Sequence, residues 1–262
     1  MSTKPHDLRR EVLDQLRWTV DELTDEVARV GPGWLARTRS LPLVHTLNRF
    51  HVTEVAGAAE ILAVVEEHQR DLPYRHVVVD DEGTARELWA ALGKEGWRVE
   101  RDALMVLAAR ASREIDTSAV TELSQEETEQ LMRRWAVEDH LDTHEGVLEQ
   151  LARYNRREGA LWNERLLGIR APAGQPAALT KLRRRGATAW VEHVYTVPEQ
   201  RGRGHARALV TYAANEARAE DADLTFIIAD DDDWPKHLYA DVGFRLVGTS
   251  WSFHKEVGDP AR

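Results

Sequence analysis

The chain has 262 residues, enough for one large or two modest domains at about 100–200 residues each. Its 35 basic and 45 acidic residues leave a net charge of −10, which disfavours nucleic acid and anionic membranes as partners, since both are held through basic surfaces. The absence of cysteine excludes disulfides, thiolate-ligated zinc, cysteine-held iron–sulfur clusters and any acyl-cysteine intermediate.

Residues Met1 to Arg10 are polar and charged and resemble no secretory signal, and no run reaches the ~18–20 apolar residues of a membrane span. A cytoplasmic protein is therefore expected. From Asp7 to Val30, Leu8, Val12, Leu16, Val20, Leu23 and Val27 recur at spacings of three and four, predicting one amphipathic helix that Gly31-Pro32-Gly33 ends. A helix over Val55 to Gln69, a buried strand at His76 to Val79, a helix over Ala85 to Leu92 stopped near Gly93 and Gly96, and strands within Trp97 to Ala108 follow. The polar stretch Ala111 to Thr117 predicts a seam, dividing the chain into 1–112 and 113–262.

Beyond it the pattern predicts a strand near Ala119 to Leu123, two helices within Glu126 to Arg157, and strands at Ala160 to Ile169, Ala178 to Leu182 and Ala189 to Val197. A helix over Gly204 to Arg218, a strand at Leu224 to Ala229, a short helix at Pro235 to Tyr239 and terminal strands from Phe244 complete it. Strands interleaved with helices in both halves predict a mixed α/β architecture. The nine tryptophans read as core and rim packing.

The halves also align with each other. At an offset of 150 residues, Val77-Val78-Val79-Asp80-Asp81 falls on Ile227-Ile228-Ala229-Asp230-Asp231, and Leu88-Trp89-Ala90 on Leu238-Tyr239-Ala240. A three-residue slip then sets Gly96-Trp97-Arg98 on Gly243-Phe244-Arg245. One strand–helix–Gly-aromatic unit thus occurs twice, as a duplication would leave it.

The segment Val194-Tyr195-Thr196-Val197-Pro198-Glu199-Gln200-Arg201-Gly202-Arg203-Gly204-His205-Ala206 runs from a strand through a Pro-containing turn into a Gly-rich helix start. Glycines let a ligand approach the backbone, and the free N–H groups and dipole of a first helical turn receive an anion. The segment resembles motif A of the GNAT superfamily of N-acetyltransferases, Arg201, Gly204 and Ala206 falling on its pattern of Arg or Gln, two residues, Gly, one residue, then Gly or Ala. Leu238-Tyr239-Ala240-Asp241-Val242-Gly243-Phe244 resembles that superfamily's second motif, and the whole chain resembles tandem GNAT proteins.

The resemblance implies two tandem GNAT-like α+β folds with a mixed sheet, and acetyl transfer from acetyl-CoA to a primary amine by direct attack in the C-terminal half. It implies that the backbone of Arg201, Gly202, Arg203, Gly204, His205 and Ala206 cradles the coenzyme pyrophosphate and that the strand edge Val194, Tyr195 and Thr196 takes the pantetheine arm and the oxyanion. Tyr239 then protonates the leaving thiolate, and Glu192, His193 or an ordered water accepts the amine proton. Glu192 is set ahead of His193 because many GNAT proteins use an acid there. Adjacent on one strand, the two side chains are expected on opposite faces. A coenzyme-binding sensor or scaffold without turnover is the rival reading.

No metal is expected. Asp230 to Asp233 reads as a helix-capping run before Trp234-Pro235. His140, Asp142 and His144 have ligand spacing but read as substrate contacts or surface, and Glu138, Asp139 and Asp142 would suit a cationic amine. At the offset of 150 the phosphate loop falls on His51-Val52-Thr53-Glu54-Val55-Ala56, with Val52 for Gly202, Glu54 for Gly204 and, further on, Trp89 for Tyr239. The first half is therefore expected to be a degenerate copy that binds no coenzyme and packs on the active half, shaping the acceptor site or a homodimer surface.

Overall fold

The computed structural model describes residues 5–92, 96–109, 111, 114–138 and 144–258. In chain order these form α1 (Pro5–Leu23), β1 (Glu26–Val30), β2 (Gly33–Arg37), β3 (Phe50–Val52), α2 (Ala58–His68), β4 (Tyr74–Val79), α3 (Glu82–Leu92) and β5 (Arg98–Leu107). The second half supplies β6 (Thr121–Glu122), α4 (Gln125–Glu138), α5 (Glu145–Trp162), β7 (Arg165–Arg170), β8 (Pro176–Arg185) and β9 (Thr188–Thr196). It ends with α6 (His205–Ala219), β10 (Leu224–Asp230), α7 (Pro235–Val242) and β11 (Phe244–Glu256). The expected seam lies in the connection from β5 to β6, with Ser112 and Arg113 outside the described residues.

Two predicted boundaries move. The first helix ends at Leu23, and Val27 belongs to β1, which pairs with β2 across Gly31 and Pro32. Val-x-x-Val spacing at 27 and 30 fits either period, and pairing with β2 decides it. Ala160 to Trp162 are the last turn of α5 rather than a strand; Asn163, at φ +49°, caps that helix in the left-handed region.

All eleven strands join one mixed sheet in the order β1-β2-β3-β4-β11-β5-β10-β9-β8-β7-β6. The two halves exchange their last strands. β11 pairs with β4 of the first half, β5 pairs with β10 of the second, and β5 and β11 lie antiparallel between them, from Phe244 opposite Leu107 to His254 opposite Arg98. The exchange carries core residues across. Trp251 and Phe253 of β11 fill the core with α2 and α3 residues such as Ile61 and Leu88, while Ala103 and Met105 of β5 fill the core with α6 and α7. At about 1.5–3 kcal/mol for each large apolar side chain buried, the exchanged strands tie both halves into one sheet.

Helices α2, α3, α6 and α7 cover one face. On the other, α1 and α5 cover the middle of the sheet, where Trp18, Trp162, Trp190 and Phe226 pack ring against ring at 5.4–5.8 Å between successive neighbours. No described helix is long and apolar enough to cross a membrane.

Candidate active site

Strands β9 and β10 run parallel and pair from Thr188 with Leu224 to Val191 with Ile227. There the pairing stops, although β9 continues to Thr196 and β10 to Asp230. The strands part into a wedge, and the β10-facing edge of residues 192–196 carries backbone groups without a strand partner, an edge open to an amide-bearing ligand.

At the mouth of the wedge β9 bulges. Leu179 of β8 pairs with Tyr195 but Lys181 pairs with Glu192, so Thr180 alone spans His193 and Val194. His193 takes φ +55° to absorb the extra residue, and the Thr180 hydroxyl donates to the Glu192 carbonyl at 3.0 Å. The bulge breaks strict alternation. Ala189, Val191 and Val194 join the core with α6, whereas His193 and Tyr195 both meet Trp135 of α4. Glu192 and His193 therefore do not diverge to opposite faces as alternation predicts: His193 Nδ1 lies 2.5 Å from Glu192 Oε2.

After β9 a 3-10 turn (Pro198–Gln200) leads into the glycine loop. Gly202 and Gly204 have φ +73° and +82°, which L side chains rarely adopt, and a Cβ on either would meet nothing within 4 Å. The glycines answer to backbone conformation, and open space lies above them. Gly204 is the N-cap of α6, whose first turn holds no acidic residue. Its unpaired N–H groups thus suit an anion such as a pyrophosphate. Arg201 folds back, its Nε donating to the Thr196 carbonyl at 3.0 Å and its guanidinium pairing with Glu138. Glu138 also accepts from the Tyr195 hydroxyl at 2.9 Å, and burial followed by this carboxylate pushes that phenol up to about 12. Arg203 is exposed. Burial, then Arg203, lowers the pKa of His205, favouring the neutral ring at the helix start. Ala206 packs partly buried on the α6 core.

Behind Glu192 sits a buried charge network. Arg183, fully buried, reaches Glu158 at 2.8 Å, Glu164 at 2.7 Å and Glu192 at 2.5 Å. Burial disfavours the Glu192 carboxylate, but Arg183 and then His193 outweigh it and hold the group well below the usual carboxylate range. Burial pushes Glu158 upward against the opposing pull of Arg183. Burial also lowers His193, only partly offset by Glu192, so its imidazole is neutral near pH 7.

Tyr239 lies on α7 in the core shared with α6, 6% exposed. Burial, then Asp233, raises its phenol, keeping it protonated at neutral pH. Among the described residues no hydrogen-bond partner meets its hydroxyl. Asp230 to Asp233 form a turn: Asp230 accepts from the Asp232 N–H and Asp233 from the Trp234 N–H, both at 2.7 Å. Asp231 pairs with Arg101 at 2.7 Å and Lys236 at 3.0 Å. His144 is the N-cap of α5, and Asp139, His140 and Asp142 lie outside the described residues.

A cavity of about 450 Å³ opens between the sheet and its roof of α1, α5 and residues 43–46. Alternate residues of six strands form its floor, Glu192 and Trp190 of β9 at one end and His51 of β3 at the other. The cavity combines both halves through the strand exchange, which no local pattern in the sequence announces. At its N-terminal end His45 and His254 stack at 4.2 Å between centroids. Together with Glu256, their ligand atoms all lie within 4.8 Å of one another. Arg98, whose charge opposes protonation of both rings, would oppose a bound cation as well.

The gap-free alignment of the halves fails at the loop. Val77 corresponds to Ile227, and their parallel partners are Phe50 and Val191, so His51 stands level with Glu192. From β3 to α2 the chain uses 53–57, and from β9 to α6 it uses 197–204. The counterpart of Gly204 at the helix N-cap is then Gly57, not Glu54. Tyr239 and Trp89 keep their correspondence on α7 and α3, yet Trp89 is 48% exposed.

Residues 120–244 match the sequence profile of the Acetyltransferase (GNAT) family. No curated protein matches the chain. Among solved structures, a conserved protein of unknown function from Staphylococcus epidermidis is similar at TM-score 0.66 and 14% identity, over 89% of this chain and 94% of that one. A GCN5-related N-acetyltransferase from Kribbella flavida is similar at TM-score 0.63 and 18% identity, over 96% of each chain. A GNAT-family protein from Novosphingobium aromaticivorans follows at 0.52 and 16%, over 91% and 96%. Two of these three extend the likeness over more than nine-tenths of the chain, so the fold of both halves is shared.

Proposed function

We propose that the C-terminal half, whose residues 120–244 match the GNAT acetyltransferase profile, transfers an acetyl group from acetyl-CoA to a primary amine by direct attack. The observation that carries this is the wedge: β9 leaves β10 after Val191, at the residue before the bulge and a few residues before a glycine loop aimed at a helix start. Its bare edge suits the amides of a pantetheine arm, and the open space over Gly202 and Gly204 suits a pyrophosphate. When bound, the coenzyme supplies an acetyl carbon activated as a thioester.

The amine nitrogen attacks that carbon from the central cavity, and the oxyanion is received by backbone N–H groups of Val194 to Thr196. His193, neutral near pH 7, takes the amine proton, and Glu192, fixed by Arg183, orients the ring. This reverses the order expected from the sequence, because a carboxylate held that low is a weak base. Tyr239 gives its proton to the thiolate as the C–S bond breaks. We further propose that the N-terminal half binds no coenzyme and that the protein works in the cytoplasm on a free amine.

The test is calorimetric titration with acetyl-CoA together with thiol release across an amine panel. One site per chain and amine-dependent thiol release are expected. Two sites per chain would overturn the degenerate first half, and binding without release for any amine would favour the sensor reading.

A further inference from the structure

Two part-buried charged side chains of the central cavity lack, among the described residues, the partner that its buried charges have. Arg49, just before β3, has a fully buried Nε with no acceptor, and among the described residues no carboxylate comes within ion-pair distance of its guanidinium. Burial lowers its pKa, opposed by charges that act only from further off, Asp80 foremost. Asp102 of β5 lines the same cavity with no hydrogen-bond or ion-pair partner among the described residues, and burial, then Glu100 and Asp230, push it up to about 7.

The neighbouring charges are matched or silent. Asp80 is held by His51 at 2.7 Å and Ser250 at 3.0 Å. Glu158 and Glu192 share Arg183. Burial keeps His45 and His254 neutral at pH 7. Arg98, more than half exposed, faces Glu100 at 4.0 Å. A part-buried guanidinium whose Nε is fully buried and unpartnered carries a desolvation cost, and a ligand that brings a counter-ion offsets it.

We propose that the cavity binds a small zwitterion, an amine carrying one carboxylate, with Arg49 receiving the carboxylate and Asp102 the amino group. This rests on the acyl-transfer reading, which places the acceptor in that cavity. Asp102 stands opposite Asp230, on the part of β10 beyond its last pair with β9, so the amino group lies on the wedge side. The carboxylate points into the N-terminal half. A single planar guanidinium matches a carboxylate in two parallel hydrogen bonds, while a phosphate dianion would meet Asp80, Asp102 and Glu100 with Arg49 the one unpaired cation among the described lining residues. A cavity of about 450 Å³ is of ordinary size for a small ligand.

The experiment compares the common amino acids with their amides, in acetyl transfer and, without acetyl-CoA, by calorimetry. At least one amino acid should be acetylated with kcat/KM about a hundredfold above its amide. Arg49→Gln should erase that preference while moving KM for acetyl-CoA less than about twofold, and Arg49→Lys should keep part of it, which separates lost charge from lost fold. Equal use of acid and amide, retained discrimination in Arg49→Gln, or equal loss in both variants would overturn the proposal. If acetyl-CoA binds and no amine is acetylated, the acyl-transfer reading fails and calorimetry decides alone. Amino-acid binding abolished by Arg49→Gln then sustains the zwitterion site, and no binding at millimolar concentration rejects it.

Discussion

In the N-terminal half β3 and β4 stay paired to their last residues, Val52 with Val79; in the C-terminal half β9 and β10 pair only as far as Val191 with Ile227. Val79 corresponds to Ala229, so the first half is zipped where the second is open. The groups that bond strand to strand in one half are without a strand partner in the other. The helix starts differ in the same sense. Gly57 sits at φ −77° before a first turn containing Glu60, and a Cβ there would lie 3.7 Å from the Glu87 carboxylate. Gly204 sits at φ +82° with open space above it and no acid in the following turn. A glycine at the N-cap is thus not what separates the copies. An anion site also needs a backbone that leaves its N–H groups uncovered and a neighbourhood free of carboxylates.

Glutamate substitutions at these two glycines should break the symmetry most sharply. Gly204→Glu places a side chain at positive φ, costing about 1–2 kcal/mol, and sets a carboxylate where a pyrophosphate would lie; acetyl-CoA binding measured by calorimetry should fall at least a hundredfold. Gly57→Glu should leave it unchanged. Equal losses would mean that the first half also holds coenzyme. Next in size is the pair on α7 and α3. Tyr239→Phe removes the proposed proton donor and should lower kcat about a hundredfold with KM for acetyl-CoA little changed, while Trp89→Phe, on a half-exposed residue, should leave kcat alone. An unaffected Tyr239→Phe would reduce that tyrosine to a core aromatic.

The same contrast marks what the sequence could reveal. The glycine loop and α6 were legible because Gly, Pro and helical periodicity act over a few neighbouring residues, and the repeat of β4–α3 in β10–α7 was legible because both copies keep their spacing. The bulge was not, because it depends on how Thr180 of a different strand registers against His193 and Val194. Nor was the cavity: Arg49, Asp102 and Glu192 line one space through an exchange of β5 and β11 that no periodicity encodes. Aligning the loops without a gap hid Gly57 behind Glu54, an error that only the register of the parallel pairs corrects.

The smallest effect expected separates the two ends of the cavity by pH. At the N-terminal end burial, then Arg98, brings His45 from 6.5 down to about 4, and burial, then His45 and Arg98, brings His254 down to about 3. The unfolded chain takes up protons there that the folded chain refuses, so the stability involved is complete above pH 6.5 and lost as pH falls towards 4. At the other end Arg183 and His193 overcome burial and hold Glu192 below its ordinary 4.5, giving stability that is present above 4.5 and lost on further acidification. Urea midpoints measured from pH 8 downward should therefore decline in two stages, the first setting in below 6.5 and offset in part by Asp102 and Glu158, which burial raises to about 7 and which take up protons in the folded chain first. His254→Asn, which takes up no proton, should lessen the first stage without abolishing it, because burial lowers His76 and His193 as well. Glu192→Gln should lessen the second and, by removing the carboxylate that raises His193, slightly deepen the first. A first stage untouched by His254→Asn would show that the histidine stack does not carry the acid sensitivity of the N-terminal end, and the pH contrast between the two ends would fall with it.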